Sequence, residues 1–460
     1  MPSELSWGQA VRTWRRLMSK PGAEVRQAGY STYVLFILIV VYTFNFIDRQ
    51  IIGILSVPIQ EELGVSDTVI GLMRGFSFAI FYSLLGVPIA MLADRKNRTV
   101  IITVALAMWS AMTAVCGLAT SVWQLFFARM MVGVGEAGGV APSYSLISDY
   151  FPPEQRARAL AVYSFGIPIG SAIGIVFGGV IATLLDWRTA FFLVGALGIL
   201  LAPIFKLTVK EPVRGGFDAP SATRKPASIG EVFRTLRSKK SFWTLALGAA
   251  SSAIMGYGVF AWFPAFFVRS HGDALTEYLQ FLPGWMFPEG SGALLSAAYF
   301  YGFIVLVGGV IGLFLGGLLA DTLGRSSRRA YALVPAVAFV FTIPLYVVGV
   351  LTPSLTVAFF VLLVPTALGL AWVGPTVSAF QHIVPLNMRA TSTAVFLLIN
   401  SLIGIGAGDV IIGFISDSLS HQYGDESLRY SILLGSGFYL VAAIFFYVSS
   451  LWISADWEEA

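Results

Sequence analysis

Residues 33–59 read YVLFILIVVYTFNFIDRQIIGILSVPI, an apolar run that carries Asp48 and Arg49 side by side. A helix of about 20 apolar residues crosses a bilayer, so this run is long enough to span one. A charged side chain at bilayer depth is costly and persists where it faces a cavity or a partner. The pair therefore indicates a functional site inside a membrane. The alternative is a self-neutralising pair in which Arg49 extends its charged end to the interface.

The whole chain shares this apolar character, since 57% of its 460 residues are hydrophobic and 12% are charged. Such a composition excludes a soluble protein and predicts a polytopic membrane protein. One cysteine, Cys116, excludes an intrachain disulfide, and three scattered histidines do not form a zinc-ligand pattern, so we expect no metal or cofactor. The net charge of +4 does not indicate nucleic acid as a partner, because the basic residues orient the chain.

Apolar windows of transmembrane length recur along the sequence, and they predict an all-α fold with twelve transmembrane helices. The predicted spans are residues 33–59, 68–93, 99–119, 122–148, 157–185, 189–208, 242–269, 293–320, 330–351, 354–383, 388–418 and 429–452.

The distribution of basic residues tests this count. Of the 29 Lys and Arg residues, 23 lie on the side of the N-terminal segment, in loops or at the ends of spans, and 3 lie on the opposite side. The other 3, Arg49, Arg74 and Arg129, lie inside the membrane. This asymmetry follows the positive-inside rule in every loop pair. We therefore expect both termini in the cytoplasm, with the protein in a bacterial-type inner membrane.

A polar stretch at residues 209–241 divides the helices into six and six, and residues 229–240 within it predict a short amphipathic surface helix. The halves also share loop signals, because residues 93–98 resemble 320–325 and residues 152–157 resemble 385–390. Paired signals in the same order predict two repeated bundles with a binding site between them. The predicted units are a cytoplasmic segment 1–30, a bundle 31–208, a linker 209–241, a bundle 242–452 and a cytoplasmic tail 453–460.

The loop between the second and third helices, residues 90–98, resembles the loop signature of the major facilitator superfamily. The resemblance implies a cytoplasmic gate in which Asp94 pairs with Arg98 and joins Asp149 at the end of helix four. In the second half, Asp321 and Arg325 occupy the equivalent positions.

The intramembrane charges concentrate in the first half. Arg129 and Glu136 are seven residues apart, which places them about 10 Å apart on one face of helix four. With Asp48, Arg49 and Arg74 at overlapping depths, one polar cavity could solvate all five groups. Three arginines against two acids give this cavity a charge of about +1, which rises to about +3 if both acids are protonated. Asp409 and Asp417 of helix eleven are expected to be structural or water-facing.

Several segments together resemble the Spinster branch of the superfamily: residues 45–49, Arg129 to Glu136, residues 141–142, 149–151, 167–171 and 262–266. The resemblance implies a twelve-helix carrier that works by alternating access, is coupled to protons, and belongs to a family associated with lysophospholipid and sphingolipid transport. By motif, Asp48 and Glu136 would be the protonatable residues. Their ion-pair partners or head-group contacts would be Arg49, Arg129, Arg74 and Asn45.

Two alternatives remain open. One is a proton-coupled carrier of drugs or small organic anions, and the other is a membrane receptor without transport activity. An enzyme is not indicated, since no nucleophile and base pair, metal-ligand set or phosphate loop is present. We expect a monomer whose partners are protons, membrane lipids and an amphipathic or small-molecule substrate. The aromatic loop 270–292 is expected to lie at the outer leaflet, as an anchor or a lipid entrance.

Overall fold

The computed structural model describes residues 21–214, 229–288, 291–324, 327–385 and 388–458. Within these ranges the chain forms α-helices with short 3₁₀ and π stretches, and no β-strand. A helix satisfies its backbone hydrogen bonds internally, which is what an apolar chain in a bilayer requires. Ten helical stretches of the described chain are long and apolar enough to cross a membrane.

Two further helices bring this count to the predicted twelve. The stretch Thr391–Asp456 contains two helices that meet at the 3₁₀ turn Gly424–Glu426. The fourth helix is divided into Val122–Glu136 and Val140–Tyr150 by a turn at residues 137–139, so neither half has transmembrane length alone. The all-α fold with twelve transmembrane helices is therefore confirmed.

We number these helices α1 to α12. Their bounds are Pro21–Ile54 (α1), Asp67–Ala93 (α2), Arg98–Cys116 (α3), Val122–Glu136 with Val140–Tyr150 (α4), Pro153–Ser164 with Gly166–Leu184 (α5), Trp187–Thr208 (α6), Lys240–Tyr278 (α7), Ala293–Gly324 (α8), Ala330–Leu351 (α9), Leu355–Leu368 with Val373–Ile383 (α10), Arg389–Tyr423 (α11), and Ser427–Gly435 with Gly437–Asp456 (α12). A short helix, Ser56–Leu63, follows α1, and the linker contains the helix Ile229–Ser238.

Glycines set the distance between α1 and α5. A Cβ atom added at Gly174 would lie 2.9 Å from the Cα atom of Ile47, and one added at Gly166 would lie 3.0 Å from the ring of Tyr42. Contacts this short leave no room for a larger residue, so the two helices pack backbone against backbone. The glycine face of α5 therefore contacts α1, the helix that carries Asp48 and Arg49.

The seventh helix, predicted at 242–269, is interrupted by a kink at Gly272, where the backbone is non-helical with φ of 39°. A short second helical segment follows this kink and ends at Tyr278. The following loop forms the 3₁₀ turn Gly284–Met286, where Phe281 and Trp285 are strongly exposed.

The two halves meet along α2 and α11, and each of these helices contains a π-helical stretch, Leu72–Phe76 and Asn400–Ile405. A Cβ atom added at Gly71 would lie 2.5 Å from the carbonyl oxygen of Asp409. One added at Gly75 would lie 2.6 Å from the carbonyl oxygen of Ile405. These glycines bring the N-terminal and C-terminal halves into direct backbone contact.

Candidate functional site

The centre of the N-terminal half contains a buried ion pair between α1 and α4. The Nε atom of Arg49 donates to Oε2 of Glu136 at 2.7 Å, and the Glu136 side chain is fully buried. The other carboxylate oxygen, Oε1, has no hydrogen-bond partner among the described residues. Asn45, one turn before Arg49, is also buried, and neither amide atom has a hydrogen-bond partner there. Arg49 and Glu136 are therefore in close contact, but Oε1 of Glu136 and the Asn45 amide have no hydrogen-bond partner among the described residues.

Small residues on α4 place Glu136 at this depth. A Cβ atom added at Gly133 would lie 2.6 Å from the carbonyl oxygen of Phe78 on α2. One added at Gly135 would lie 2.7 Å from the backbone nitrogen of Trp109 on α3. The glycines around Glu136 thus allow α4 to pack closely against two neighbouring helices.

Aromatic rings surround the Arg49 guanidinium. Its carbon atom lies 4.8 Å from the ring centres of both Phe78 and Tyr82, and 5.3 Å from that of Phe46. A guanidinium within about 6 Å of a ring face gains cation–π stabilisation, which is larger in a desolvated site. These rings stabilise the arginine charge without neutralising it, so Arg49 stays able to bind an anion.

Asp48 lies next to this pair and is 1% exposed. Neither of its carboxylate oxygens has a hydrogen-bond partner in the described part of the chain. Its surroundings contain the charges of Glu136, Arg129 and Arg49 and the hydroxyl of Thr113. Arg129 contacts the backbone of Asp48, since its Nη1 atom donates to the carbonyl oxygen at 3.3 Å. A buried carboxylate without hydrogen bonds is costly to keep ionised, so Asp48 has the environment of a proton-accepting group.

Arg74, which the sequence placed in one cavity with Asp48 and Glu136, has its closest polar contacts with the C-terminal half. Its Nε atom lies 3.3 Å from Oδ2 of Asp409 on α11, and its Nη1 atom donates to the carbonyl oxygen of Ala261 on α7 at 2.8 Å. Asp409, which was expected to be structural or water-facing, is therefore buried and faces Arg74. Helix depth could be estimated from the sequence, but the direction in which Arg74 points could not.

Adding Asp409 changes the charge of the buried set, which had been counted at about +1. Three arginines now face three acids, so the set is neutral when every acid is ionised. Its members are Arg49, Arg74, Arg129, Asp48, Glu136 and Asp409. Each proton that one of these acids accepts adds one positive charge to the site.

The predicted cytoplasmic gate has a different arrangement from the expected one. Arg98 is 1% exposed and binds Oδ2 of Asp149 at 2.5 Å and Oε1 of Glu211 at 2.7 Å. The side chain of Asp94 is exposed. The expected Asp94–Arg98 pair is therefore replaced by pairs with the end of α4 and with the linker. Sequence reasoning missed Glu211, because a lone acid in a basic linker carries no distinguishing signal.

The linker also covers the end of α2. Arg214 donates to the carbonyl oxygens of Ala93 at 2.8 Å, of Asp94 and of Lys96. The last carbonyl groups of a helix lack partners within the helix, so Arg214 caps them and complements the helix dipole. In the second half, Arg325 lies outside the described residues. The backbone of Asp321 is helical, but its side chain also lies outside the described set.

The opposite end of α2 carries a polar cluster that sequence reasoning missed. Arg269 of α7 donates to both carboxylate oxygens of Asp67, at 2.7 and 2.8 Å, and to Oε1 of Gln60 at 2.9 Å. Ser416 of α11 donates to Asp67 at 2.7 Å. Asp67 thus binds both α7 and α11 and connects the two halves of the protein.

Asp417 strengthens the same connection. It accepts hydrogen bonds from the backbone nitrogen atoms of Asp67 at 3.1 Å and Thr68 at 2.8 Å, and from the Thr68 hydroxyl at 2.5 Å. A carboxylate at a helix N-terminus satisfies unpaired N–H groups and is favoured by the dipole. An acid of one half therefore caps a helix of the other half.

The comparisons with known proteins agree with this architecture. The sequence model of the Major Facilitator Superfamily matches residues 38–408. An "MFS-type efflux pump" of Mycolicibacterium smegmatis is 32% identical over 90% of this chain and 91% of its own length. The "Sphingosine-1-phosphate transporter SPNS2" of Danio rerio is 27% identical over 90% of this chain and 83% of its own length.

Among solved structures, a bacterial homolog of the human lysosomal transporter Spinster, in an inward-facing and unoccupied conformation, superposes with a TM-score of 0.80. It is 32% identical in sequence, and the match covers 96% of this chain and 99% of that one. The predicted resemblance to Spinster proteins is confirmed. The chain is an integral multi-pass membrane protein and belongs to the Major Facilitator Superfamily of transporters.

Proposed function

We propose that this protein is a proton-coupled secondary transporter that moves an amphipathic anion of the lysophospholipid or sphingolipid class by alternating access. The observation that carries the proposal is the buried Arg49–Glu136 pair beside the Asp48 carboxylate, which has no hydrogen-bond partner among the described residues. Proton uptake by either acid leaves arginine charge uncompensated, because the guanidinium stays protonated. An anionic head group can then take the place of the carboxylate.

Glu136 is the acid whose protonation releases an arginine most directly. Its Oε2 atom accepts a hydrogen bond from Nε of the Arg49 guanidinium at 2.7 Å. A neutral carboxylic acid accepts a weaker hydrogen bond than a carboxylate does. Arg49 is also held in place by its aromatic neighbours, so it stays in position for an incoming phosphate.

The contacts between the halves support alternating access. Asp67, Arg269 and Asp417 join α2 to α7 and α11 at one end of the bundles. At the other end, Arg98 binds α4 and the start of the linker, and neither of these contacts reaches the C-terminal half. With the predicted orientation, the Asp67 end is extracellular, so this arrangement faces the cytoplasm. We propose accordingly that both termini are cytoplasmic, that the protein lies in a bacterial plasma membrane, and that it works as a monomer.

The test is uptake of a fluorescent lysophospholipid into proteoliposomes under an imposed pH gradient. We expect Asp48→Asn and Glu136→Gln to abolish the gradient-driven component, since neither amide can accept a proton at these positions. Glu61→Gln is the matched control, because Glu61 is an exposed acid on the short helix after α1. Gradient-driven uptake at the wild-type rate in both buried-site variants would refute the coupling role.

A second candidate is a proton-coupled drug carrier, which the efflux-pump relative favours. The same proteoliposomes distinguish the two when loaded with a cationic dye and with the lysophospholipid. Gradient-driven movement of the dye alone supports the drug carrier. Lack of movement of every probe, together with Glu136→Gln vesicles that behave as wild type, supports a receptor without transport activity.

A further inference from the structure

A second buried acid lies at the contact between the two halves. Asp409 of α11 is 5% exposed, and its Oδ2 atom lies 3.3 Å from Nε of Arg74 on α2. Its Oδ1 atom has no hydrogen-bond partner in the described ranges, and the Nε atom of Arg74 likewise has none. The two side chains thus form an ion pair without an aligned hydrogen bond. Such a pair offsets little of the free energy that it costs to bury the ionised Asp409 carboxylate.

Three glycines of the N-terminal half make room for this pair. A Cβ atom added at Gly53 would lie 2.6 Å from Nη1 of Arg74, and one added at Gly71 would lie 2.5 Å from the carbonyl oxygen of Asp409. One added at Gly75 would lie 3.3 Å from the Cβ atom of Asp409. Arg74 therefore runs in a notch between α1, α2, α7 and α11, which any larger residue at these positions would fill.

Carbonyl groups of the backbone near the Arg74–Asp409 pair also accept hydrogen bonds from other helices. Trp262 of α7 donates to the carbonyl oxygen of Asp409 at 3.0 Å, and Arg74 donates to the carbonyl oxygen of the preceding residue, Ala261, at 2.8 Å. Arg74, like Asp67 at the end of the same helix, thus contacts both α7 and α11. If α2 and α11 separate, Arg74 loses its carboxylate.

We propose that Asp409 is a second proton-accepting residue, placed in the C-terminal half, and that its ionised carboxylate holds α2 and α11 together through Arg74. The inference rests on the proposed proton coupling and adds a residue to it. Protonation of Asp409 removes the charge that Arg74 faces, so it weakens the contact between the halves. Asp48 and Glu136, by contrast, both lie within the N-terminal half, where protonation acts on the substrate arginines.

The groups around Asp409 come from several helices. Arg74 and Arg129 face it from α2 and α4, and the Tyr257 hydroxyl faces it from α7. Further along α11, Asp417 is engaged with the start of α2, and on α12 Arg429 is paired with Glu426 at 2.8 Å. Arg74 is therefore the closest charge to the carboxylate, and its removal should uncouple Asp409 from the contact between the halves.

Two readouts test the proposal without any substrate. The first is the carboxyl C=O band in pH-difference infrared spectra of the full-length protein in lipid. The second is the distance between spin labels at Glu61→Cys and Gln422→Cys, two exposed positions on opposite halves at the Asp67 end. Cys116 is fully buried and remains unlabelled.

We expect Asp409→Asn to remove one carboxyl band and to give the long, low-pH distance at every pH. Arg74→Gln should keep that band but lose the pH dependence of the distance, and Asp273→Asn, at an exposed acid of α7, should change neither. The proposal is overturned if Asp409→Asn keeps every carboxyl band of the wild type. It is also overturned if the spin-label distance in Arg74→Gln depends on pH as it does in the wild type.

The proposed function can fail separately. If Asp48→Asn and Glu136→Gln both keep gradient-driven uptake while Asp409→Asn loses its band, the coupling role of the N-terminal acids is wrong and that of Asp409 stands. If Asp48→Asn abolishes uptake while Asp409→Asn keeps every band, the reverse holds.

Discussion

Gly71→Ala should open the contact between α2 and α11 without disturbing either half. The added Cβ atom would lie 2.5 Å from the carbonyl oxygen of Asp409, 2.8 Å from its carbonyl carbon and 2.9 Å from the Cα atom of Val410. All three atoms belong to the backbone of α11, so no side-chain rotation can relieve the clash. The clash exists only while α2 and α11 are in contact, and it therefore raises the free energy of this conformation alone.

Overpacking a close contact costs about 1–3 kcal/mol. A cost of this size changes the ratio of the two conformations by about 5-fold to about 150-fold. A ratio of about 99:1 in favour of the closed contact would become about 95:5 at the lower bound and about 40:60 at the upper bound. The distance between spin labels at Glu61 and Gln422 reports this ratio as the weight of its longer component.

Gly86→Ala is the matched control for this substitution. Gly86 lies on the same helix, and a Cβ atom added there would meet nothing within 4 Å. Both substitutions carry the same gain of about 1 kcal/mol in helix propensity, so only the clash distinguishes them. Equal distance distributions for the two variants would refute the claim that α2 and α11 separate during the transport cycle.

Three further predictions concern polar contacts outside the central site. Arg269→Ala should leave Asp67 without its bidentate partner and increase the longer spin-label component, whereas unchanged distances would show that Asp417 suffices. Arg214→Ala should uncap the end of α2 and lower the thermal midpoint in detergent by an amount matching about 1 kcal/mol; an unchanged midpoint would argue against a capping role. Hydrogen bonds from Arg188 lower the pKa of the exposed Glu62 carboxyl, so the stability that it contributes is present above the ordinary pKa and is lost as the pH falls through the lowered value. Glu62→Gln should therefore lower the thermal midpoint slightly at pH 7 and less at pH 4, and an equal change at both pH values would contradict this assignment.

The sequence was sufficient for the helices and for five of the six charged members of the central cluster, Asp409 being the exception. Transmembrane length and loop charge predicted twelve spans, because the bilayer imposes both constraints locally. The spacing of Arg129 and Glu136 indicated one helix face, and Glu136 does face Arg49. These features depend on the periodicity of one helix at a time.

The contacts between the two halves could not be predicted from patterns within single helices. Arg74 and Asp409 are 335 positions apart, and no pattern within either helix indicates which partner its side chain reaches. Asp67 and Arg269 read as ordinary loop and interface charges for the same reason. Likewise, Glu211 and Arg214 looked like parts of a polar linker, although both bind the N-terminal half.

The balance of three arginines and three acids has a consequence for membrane voltage. An elementary charge that crosses the whole bilayer gains or loses about 2.3 kcal/mol per 100 mV. In the proposed alternating-access cycle, the empty, fully ionised site is neutral, so its return moves no net charge and is insensitive to voltage. A cycle that carries one proton with one anionic charge is likewise electroneutral, and each further proton, such as one on Asp409, makes the cycle electrogenic by one charge. Transport current at a clamped potential would therefore count the acids that are loaded in each cycle.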